Sequence, residues 1–210
     1  MRLVTFALEA CILLLVIGAA AAQDRMPPIP KEKMTEAQKK AFDEVTSGPR
    51  GAGGAEGPFV PLLRSPEFMS VLQKTGEYVR FHNSIGPKLT EFVILLTARQ
   101  WTQQYEYNAH QPLALKAGVK QETISAITEG RRPTGMAADE EIVYDFCTEL
   151  RQNQGVSDAT YARAVSKFGE QGVIDMTGLM GYYTTLAMIM NVARSPLAEG
   201  KKAPLAPFPH

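Results

Sequence analysis

The spacing of apolar residues constrains this fold most, because they recur every three or four positions along most of the chain. No run shows the alternation of apolar and polar residues that is typical of a β-strand. Thr35 and Gln38 match a helix-capping box, and Ser65-Pro66 fits a helix start with proline at the first helical position. Helices are predicted over residues 35–45, 65–81, 87–101, 121–129, 139–152, 157–168 and 173–194. The sequence therefore predicts an all-α fold.

Residues 1–22 have the pattern of a secretory signal peptide. Arg2 precedes an apolar run over residues 10–22, which ends with alanines at positions 20 and 22. The run is shorter than the roughly 20 residues that span a bilayer. We expect cleavage after Ala22, a periplasmic or secreted mature protein, and no stable membrane span in the mature chain. An uncleaved membrane anchor is the alternative.

The rest of the chain is predicted to form one domain with two irregular segments. Residues 23–64 hold a first helix and a glycine-rich linker, residues 65–195 the main helical domain, and residues 196–210 a proline-rich tail. The linker over residues 47–58 is expected to be a mobile loop without regular structure, and the tail is expected to extend over a neighbouring subunit. Basic and acidic residues number 22 each, so no excess positive charge favours nucleic acid as a partner.

Cys147 is the one cysteine that remains after the predicted cleavage, since the other, Cys11, lies in the leader. A lone thiol cannot form an internal disulfide or a dithiol redox pair. Apolar residues surround it at helical spacing on the predicted helix over residues 139–152. We therefore expect Cys147 to be a buried, inert side chain.

A break in the helical pattern near Trp101 brings two distant polar residues into reach. Thr102 is predicted to cap a new helix that begins at Gln103. In one straight helix, Glu91 and His110 would lie about 28 Å apart. In an antiparallel hairpin that turns at Thr102, Glu91 lies 11 residues before the turn and His110 lies 8 residues after it. The hairpin therefore allows the two side chains to face each other.

The second helix of this hairpin carries candidate acid–base residues. One face holds, at helical spacing, Gln103, Glu106, Tyr107 and His110. Glu106 lies four residues before His110, so its carboxylate can orient the imidazole. Glu91 lies among apolar residues, which suits it to hold a proton near neutral pH. The alternative is a solvated Glu–His pair, which is common on helix surfaces.

The sequence gives no pattern of a metal site. His82 and His110 are the only histidines outside the tail, and no H-x-x-x-H spacing occurs. We expect neither a metal nor an organic cofactor.

Three stretches together resemble the carboxymuconolactone decarboxylase family, which includes the alkylhydroperoxidase-D-like proteins. They are YVRFHNSIGPKLTEFVILLTARQWTQQYEYNAHQPLALKAGV over residues 78–119, GPFVPLLRSPEF before it and GLMGYYTTLAMIMNVA after it. The resemblance covers most of the mature chain. It implies an all-α alkylhydroperoxidase-D-like fold, assembly into trimers or hexamers, and a site on the helical hairpin close to subunit contacts.

The resemblance also implies roles for particular residues. The glutamate and histidine of the peroxidase branch fall on Glu91 and His110, whereas its C-x-x-C pair falls on Gln103 and Glu106. Because dithiol peroxide reduction needs a thiolate nucleophile and a resolving thiol, the missing cysteines disfavour that activity. The decarboxylase branch has no strict thiol requirement. Its reaction needs a bound carboxylate, a stabilised oxyanion and a proton returned to carbon.

We expect His110 to be the proton donor and relay, with Glu106 orienting it and Glu91 as a second acid–base group. Arg80 is a candidate for binding a substrate carboxylate, since a guanidinium binds a carboxylate through two hydrogen bonds. The alternative for Arg80 is a surface or intersubunit ion pair.

Aromatic residues near the hairpin are candidates for the walls of the site. Trp101 and Tyr107 are expected to line it, although Trp101 equally fits core packing at the hairpin turn. Tyr182 and Tyr183 are further candidates, on a helix that also fits a core or intersubunit position.

The predicted function is that of an exported, cofactor-free lyase or isomerase of this family. Its substrate is expected to be a small unsaturated carboxylic acid or lactone. The alternatives are a thiol-dependent, alkylhydroperoxidase-like antioxidant enzyme and a non-catalytic oligomeric binding protein.

Overall fold

The computed structural model describes residues 24–207, so the predicted signal peptide and the last three residues of the tail lie outside it. Within this range the chain forms eight α-helices and no β-strand, which confirms the predicted all-α class. Short 3₁₀ helices cover Lys31–Lys33 and Gly51–Ala55. The α-helices are α1 Glu36–Ser47, α2 Phe59–Leu62, α3 Pro66–Phe81, α4 Pro87–Gln100, α5 Gln104–Lys116, α6 Gln121–Thr128, α7 Ala138–Asn153 and α8 Asp158–Ala193.

Helix α4 is the centre of the core. Every residue from Leu89 to Arg99 is buried, and the helix packs against α5, α6, α7 and α8. Its run of apolar residues has no polar face, which is typical of a helix enclosed on all sides. Polar groups on α4, including Glu91, are therefore held in a dry and closely packed setting.

The predicted hairpin forms between α4 and α5, but its turn differs in detail from the prediction. Thr102 does not cap α5. Its backbone has a φ of 47° and lies within the turn. Gln103 is the capping residue instead, and its side-chain oxygen accepts hydrogen bonds from the backbone N–H groups of Tyr105 and Glu106.

Other helix ends follow the sequence signals to different degrees. The capping box at Thr35 and Gln38 is present in both directions. Pro66 occupies the start of α3, but the Ser65 side chain makes no capping hydrogen bond. Helix α8 is interrupted at Gly169, whose φ of 69° is not helical, so the two segments predicted on either side of this position meet at a kink.

The glycine-rich segment, defined as residues 47–58, is a folded and packed part of the domain. The prediction that it lacks regular structure is wrong, because it contains the 3₁₀ helix Gly51–Ala55, which packs on α1. A Cβ atom at Gly54 would lie 2.3 Å from Cγ1 of Val45. The glycine therefore permits a backbone approach that no other residue allows.

The described part of the tail, up to residue 207, lies against helices of its own chain. The Gln104 side chain donates to the carbonyl of Leu205 at 2.8 Å and accepts from its N–H at 3.0 Å. An Arg99 N–H group donates to the carbonyl of Ala206 at 2.9 Å. These contacts fix the tail against α4 and α5. Among residues 24–207, no helix is both long and apolar enough to cross a bilayer.

Candidate active site

A cavity of about 360 Å³ lies between α5, α8 and the glycine-rich segment. Side chains from α3 contribute a further wall. Its polar lining comes from Arg50, Glu56, Arg80, Tyr105, Glu106, His110 and Tyr183. The volume suits a small organic molecule.

His110 and Glu91 form a buried pair across the α4–α5 hairpin. The Nδ1 atom of His110 lies 2.6 Å from Oε2 of Glu91, and the two residues are 6% and 9% exposed. A carboxylate at Glu91 can only accept; in that form of the pair Nδ1 carries the hydrogen and the neutral ring keeps a lone pair on Nε2. Within the described chain Nε2 makes no hydrogen bond. The hairpin therefore presents an oriented base at the cavity.

The surroundings of His110 favour the neutral imidazole. Burial lowers its pKa below the ordinary value; Glu91 opposes this shift, whereas the positive charges of Arg80 and Arg50 add to it. The ring also packs edge-on against Tyr183, with centroids 5.3 Å apart. Burial thus favours a ring that can accept a proton at Nε2, and the role of proton donor and relay stays a prediction.

The sequence predicted that Glu106 orients His110, but the structure shows no hydrogen bond between them. Both side-chain oxygens of Glu106 are buried and make no hydrogen bond within the described chain, while Glu91 occupies the Nδ1 position. Burial raises the pKa of Glu106 well above its ordinary value. Glu106 lines the same cavity as His110, and burial favours the protonated form of Glu106 and the neutral form of His110.

Tyr183 supplies a third polar group without a protein partner. Its hydroxyl is buried and makes no hydrogen bond within residues 24–207, and burial raises its pKa. It therefore keeps its proton and can donate to an oxygen of a bound molecule.

Two guanidinium groups line the cavity. Arg80, predicted as a substrate-binding residue, lies over the Phe81 ring at 5.1 Å from the centroid. Arg50, which the sequence did not single out, lies 5.7 Å from the centroid of the same ring. In the described part of the chain neither forms an ion pair with a carboxylate. Both are thus available to an anionic ligand.

The two predicted aromatic walls lie elsewhere. Tyr107 is fully buried on the core side of α5, where its hydroxyl donates to the Ile124 carbonyl at 3.1 Å and also contacts Thr128. Trp101 donates through Nε1 to Thr184 at 3.3 Å and lines a separate cavity. Neither residue lines the cavity that contains His110.

Cys147 is buried, as expected, and burial raises the pKa of its thiol to about 12. It lines the separate cavity with Trp101. A thiol with this pKa supplies almost no thiolate near neutral pH. Among residues 24–207, no group of three His, Cys, Asp or Glu side chains could hold a metal ion.

Sequence reasoning did not single out three residues that line the cavity: Arg50, Glu56 and Tyr105. Arg50 and Glu56 lie in the glycine-rich segment, which lacks any periodic pattern. The glycines of this segment did give a signal of close packing. Gly57 has a φ of 56°, and a Cβ there would lie 2.3 Å from Cε1 of Tyr105. Such an approach requires glycine and marks a place where the segment is packed tightly.

Comparisons with known proteins identify the fold alone. No family model matches the chain, and a search of curated proteins also found no match. Among solved structures, a variant of the debrominase Bmp8 in complex with 2,3,4-tribromopyrrole is similar at 10% identity and a TM-score of 0.64, covering 88% of this chain and 96% of that one. Apo Bmp8 is similar at 11% identity and a TM-score of 0.62, covering 85% and 93%. The chain thus shares its helical fold with an enzyme.

Proposed function

We propose that this protein is a cofactor-free acid–base enzyme that acts on a small unsaturated lactone or carboxylic acid. One observation carries the proposal: His110, held by Glu91, and the buried carboxyl of Glu106 line one cavity of about 360 Å³. Burial lowers the pKa of His110 and raises the pKa of Glu106. Groups whose surroundings push their pKa values in opposite directions are typical of paired catalytic acids and bases.

The lining groups match the steps of a decarboxylation. As the bond to carbon dioxide breaks, its electron pair moves to the carbonyl oxygen of the lactone as a dienolate. The Tyr183 hydroxyl donates a hydrogen bond to that oxygen, and Glu106 gives its proton to carbon. His110 then relays a proton from solvent to Glu106. Arg80 holds a carboxylate of the substrate in place.

An isomerisation uses the same groups in a different order. The Nε2 atom of His110 takes a proton from a carbon next to a carbonyl, and Glu106 returns one to another carbon. Both reactions pass through an enolate and need no metal or thiol.

The burial of Cys147 and its separation from His110 argue against a thiol-dependent antioxidant enzyme. Export of the protein remains a proposal from the sequence, as does its membership of the carboxymuconolactone decarboxylase family. Assembly into a trimer or hexamer is a proposal supported by exposed apolar residues on α8, including Ile174 and Val192. A non-catalytic binding protein is the remaining alternative.

The test is turnover of 4-carboxymuconolactone, followed by ultraviolet absorbance, together with exchange of carbon-bound hydrogen for deuterium in a panel of unsaturated lactones and keto acids. The key variant is His110→Asn, since asparagine can still donate to Glu91 but lacks a nitrogen equivalent to Nε2. We expect turnover or exchange in the wild type and its loss in His110→Asn. A reaction that survives His110→Asn, or no reaction with any compound, would contradict the proposal.

A further inference from the structure

The strongest feature outside the acid–base groups is the guanidinium of Arg50, which forms no ion pair with a carboxylate of residues 24–207. The side chain is half-buried, and its Nε atom is buried and makes no hydrogen bond within the described chain. Nη2 donates to the Tyr182 hydroxyl at 3.1 Å. A guanidinium has five N–H donors, and a partly desolvated cation without an anionic partner costs free energy. Arg50 is therefore held ready for a ligand that supplies negative charge.

Aromatic rings fix the position of this guanidinium. Its central carbon lies 5.3 Å from the Phe59 ring centroid, 5.7 Å from that of Phe81 and 5.9 Å from that of Tyr182. Each ring attracts the cation through its π face, but none supplies a negative charge. We define this arrangement of Arg50 with Phe59, Phe81 and Tyr182 as the Arg50 cage.

The Arg50 cage is connected to the acid–base groups by direct packing. Tyr182 packs edge-on against Tyr183, with centroids 5.3 Å apart, and Tyr183 packs in the same way against His110. Arg50 and His110 also line the same cavity, so a molecule that binds Arg50 there shares the cavity with the imidazole.

Gly76 on α3 is necessary for the cage. A Cβ atom there would lie 2.1 Å from the Tyr182 hydroxyl oxygen and 2.6 Å from Nη2 of Arg50. Any other residue at this position must displace the Arg50–Tyr182 hydrogen bond. The contact therefore depends on three separate segments: the glycine-rich segment, α3 and α8.

The charges of the cavity favour an anion at this place. Arg50 and Arg80 both lie near the Phe81 ring. Of the acidic residues in the lining, Glu56 is exposed and accepts from Tyr105, and burial favours the neutral form of Glu106. The cavity thus has an excess of positive charge next to aromatic surface, which suits a small, planar carboxylate.

We propose that Arg50, in addition to Arg80, binds the carboxylate group of the ligand and selects small planar carboxylates over their neutral analogues. This inference rests on the proposed function for the nature of the ligand, but binding can be measured without turnover. Arg50 is a binding residue and takes no part in proton transfer.

The test uses 2-furoate, a planar carboxylate, and its neutral counterpart 2-furamide, with binding to the full mature chain measured by calorimetry. We expect 2-furoate to bind the wild type, 2-furamide to bind at least tenfold more weakly, and Arg50→Gln to weaken 2-furoate binding at least tenfold. Gly76→Ala should weaken it as well, while Arg50→Lys should retain part of the affinity. Arg131→Gln is the matched control, because Arg131 is exposed and paired with Glu129.

Circular dichroism melts establish that each variant is folded before its affinity is compared. Equal 2-furoate affinity in Arg50→Gln and the wild type would overturn the inference, as would equal binding of 2-furamide, or no binding of 2-furoate. Binding that depends on Arg50 in a protein without any turnover would support the inference while contradicting the proposed enzyme activity. Turnover that is unchanged in Arg50→Gln would support the proposed enzyme activity while contradicting the inference about Arg50.

Discussion

Replacement of Glu91 by glutamine tests how the hairpin makes His110 a base. The change keeps the size of the side chain and removes the negative charge 2.6 Å from Nδ1. In the proposed reaction His110 takes a proton, and the Glu91 carboxylate would stabilise the imidazolium through a buried, charge-assisted hydrogen bond. The amide of glutamine stabilises it less, and its NH₂ group can also select the wrong tautomer.

The size of the effect follows from the contact. A hydrogen bond to a charged group contributes about 1.5–3 kcal/mol, and about 1.4 kcal/mol corresponds to a tenfold change in rate. We therefore expect kcat/KM of Glu91→Gln to fall roughly 10- to 150-fold. The pKa of His110, followed by NMR, should also fall, because Glu91 is the group that raises it against the effect of burial.

Glu56→Gln is the matched control. Glu56 is an exposed carboxylate in the same cavity lining and accepts only from Tyr105, so its loss should change kcat/KM by less than about twofold. Equal kcat/KM values in Glu91→Gln and Glu56→Gln would contradict this role of Glu91. A rise in the pKa of His110 in Glu91→Gln would contradict it as well.

Three further predictions concern buried groups. Because burial raises the pKa of Glu106, its contribution to stability is lost as pH rises through the folded-state pKa; Glu106→Gln should melt above the wild type at pH 9 and lose about 100-fold or more in turnover. Because burial lowers the pKa of His110, wild-type stability should fall as pH drops below about 6.5, whereas calorimetric melts of His110→Asn should depend less on pH over this range. Cys147→Ser should cost about 1–3 kcal/mol in chemical unfolding, since it buries a hydroxyl, and should leave lactone turnover unchanged.

Each of these outcomes has a clear opposite. A Glu106→Gln variant that melts below the wild type at pH 9 would show that the carboxyl is not held protonated. If the stability of His110→Asn depends on pH as strongly as that of the wild type, other groups cause the loss of stability at low pH. Loss of lactone turnover in Cys147→Ser, with the fold intact, would implicate the thiol.

The hairpin could be predicted because it rests on local rules. A break at Trp101 and Thr102, between two stretches of helical spacing, fixes an antiparallel pair, and residue counts then bring Glu91 and His110 together. The capping box at Thr35 is equally local, since it needs only three intervening peptide units. The apolar residues around Glu91 likewise indicated a partly desolvated carboxyl, and the residue is buried.

Features set by packing could not be predicted in the same way. Glu106 lies within reach of His110 by spacing alone, but Glu91 occupies the ring nitrogen from another helix. Tyr107 shares a helix with His110, yet the Thr128 hydroxyl and the Ile124 carbonyl draw its hydroxyl into the core. Spacing along one helix defines which contacts are possible, and the partners on other helices decide which form.

Arg50 could not be predicted for a different reason. Its segment has no periodicity, so sequence reasoning assigned it to a linker. The close approaches at Gly54, Gly57 and Gly76 let the backbone pack tightly around Arg50, and they depend on the positions of Val45, Tyr105 and Tyr182 in the folded chain.

The central claim is that the chemistry occurs at His110 and needs no thiol. The most direct measurement is a paired assay on the chain from Gln23 onward, which compares 4-carboxymuconolactone turnover with thiol-dependent peroxide consumption in the wild type, His110→Asn and Cys147→Ser. We expect lactone turnover that disappears in His110→Asn and persists in Cys147→Ser. Peroxide consumption that disappears in Cys147→Ser would contradict the central claim.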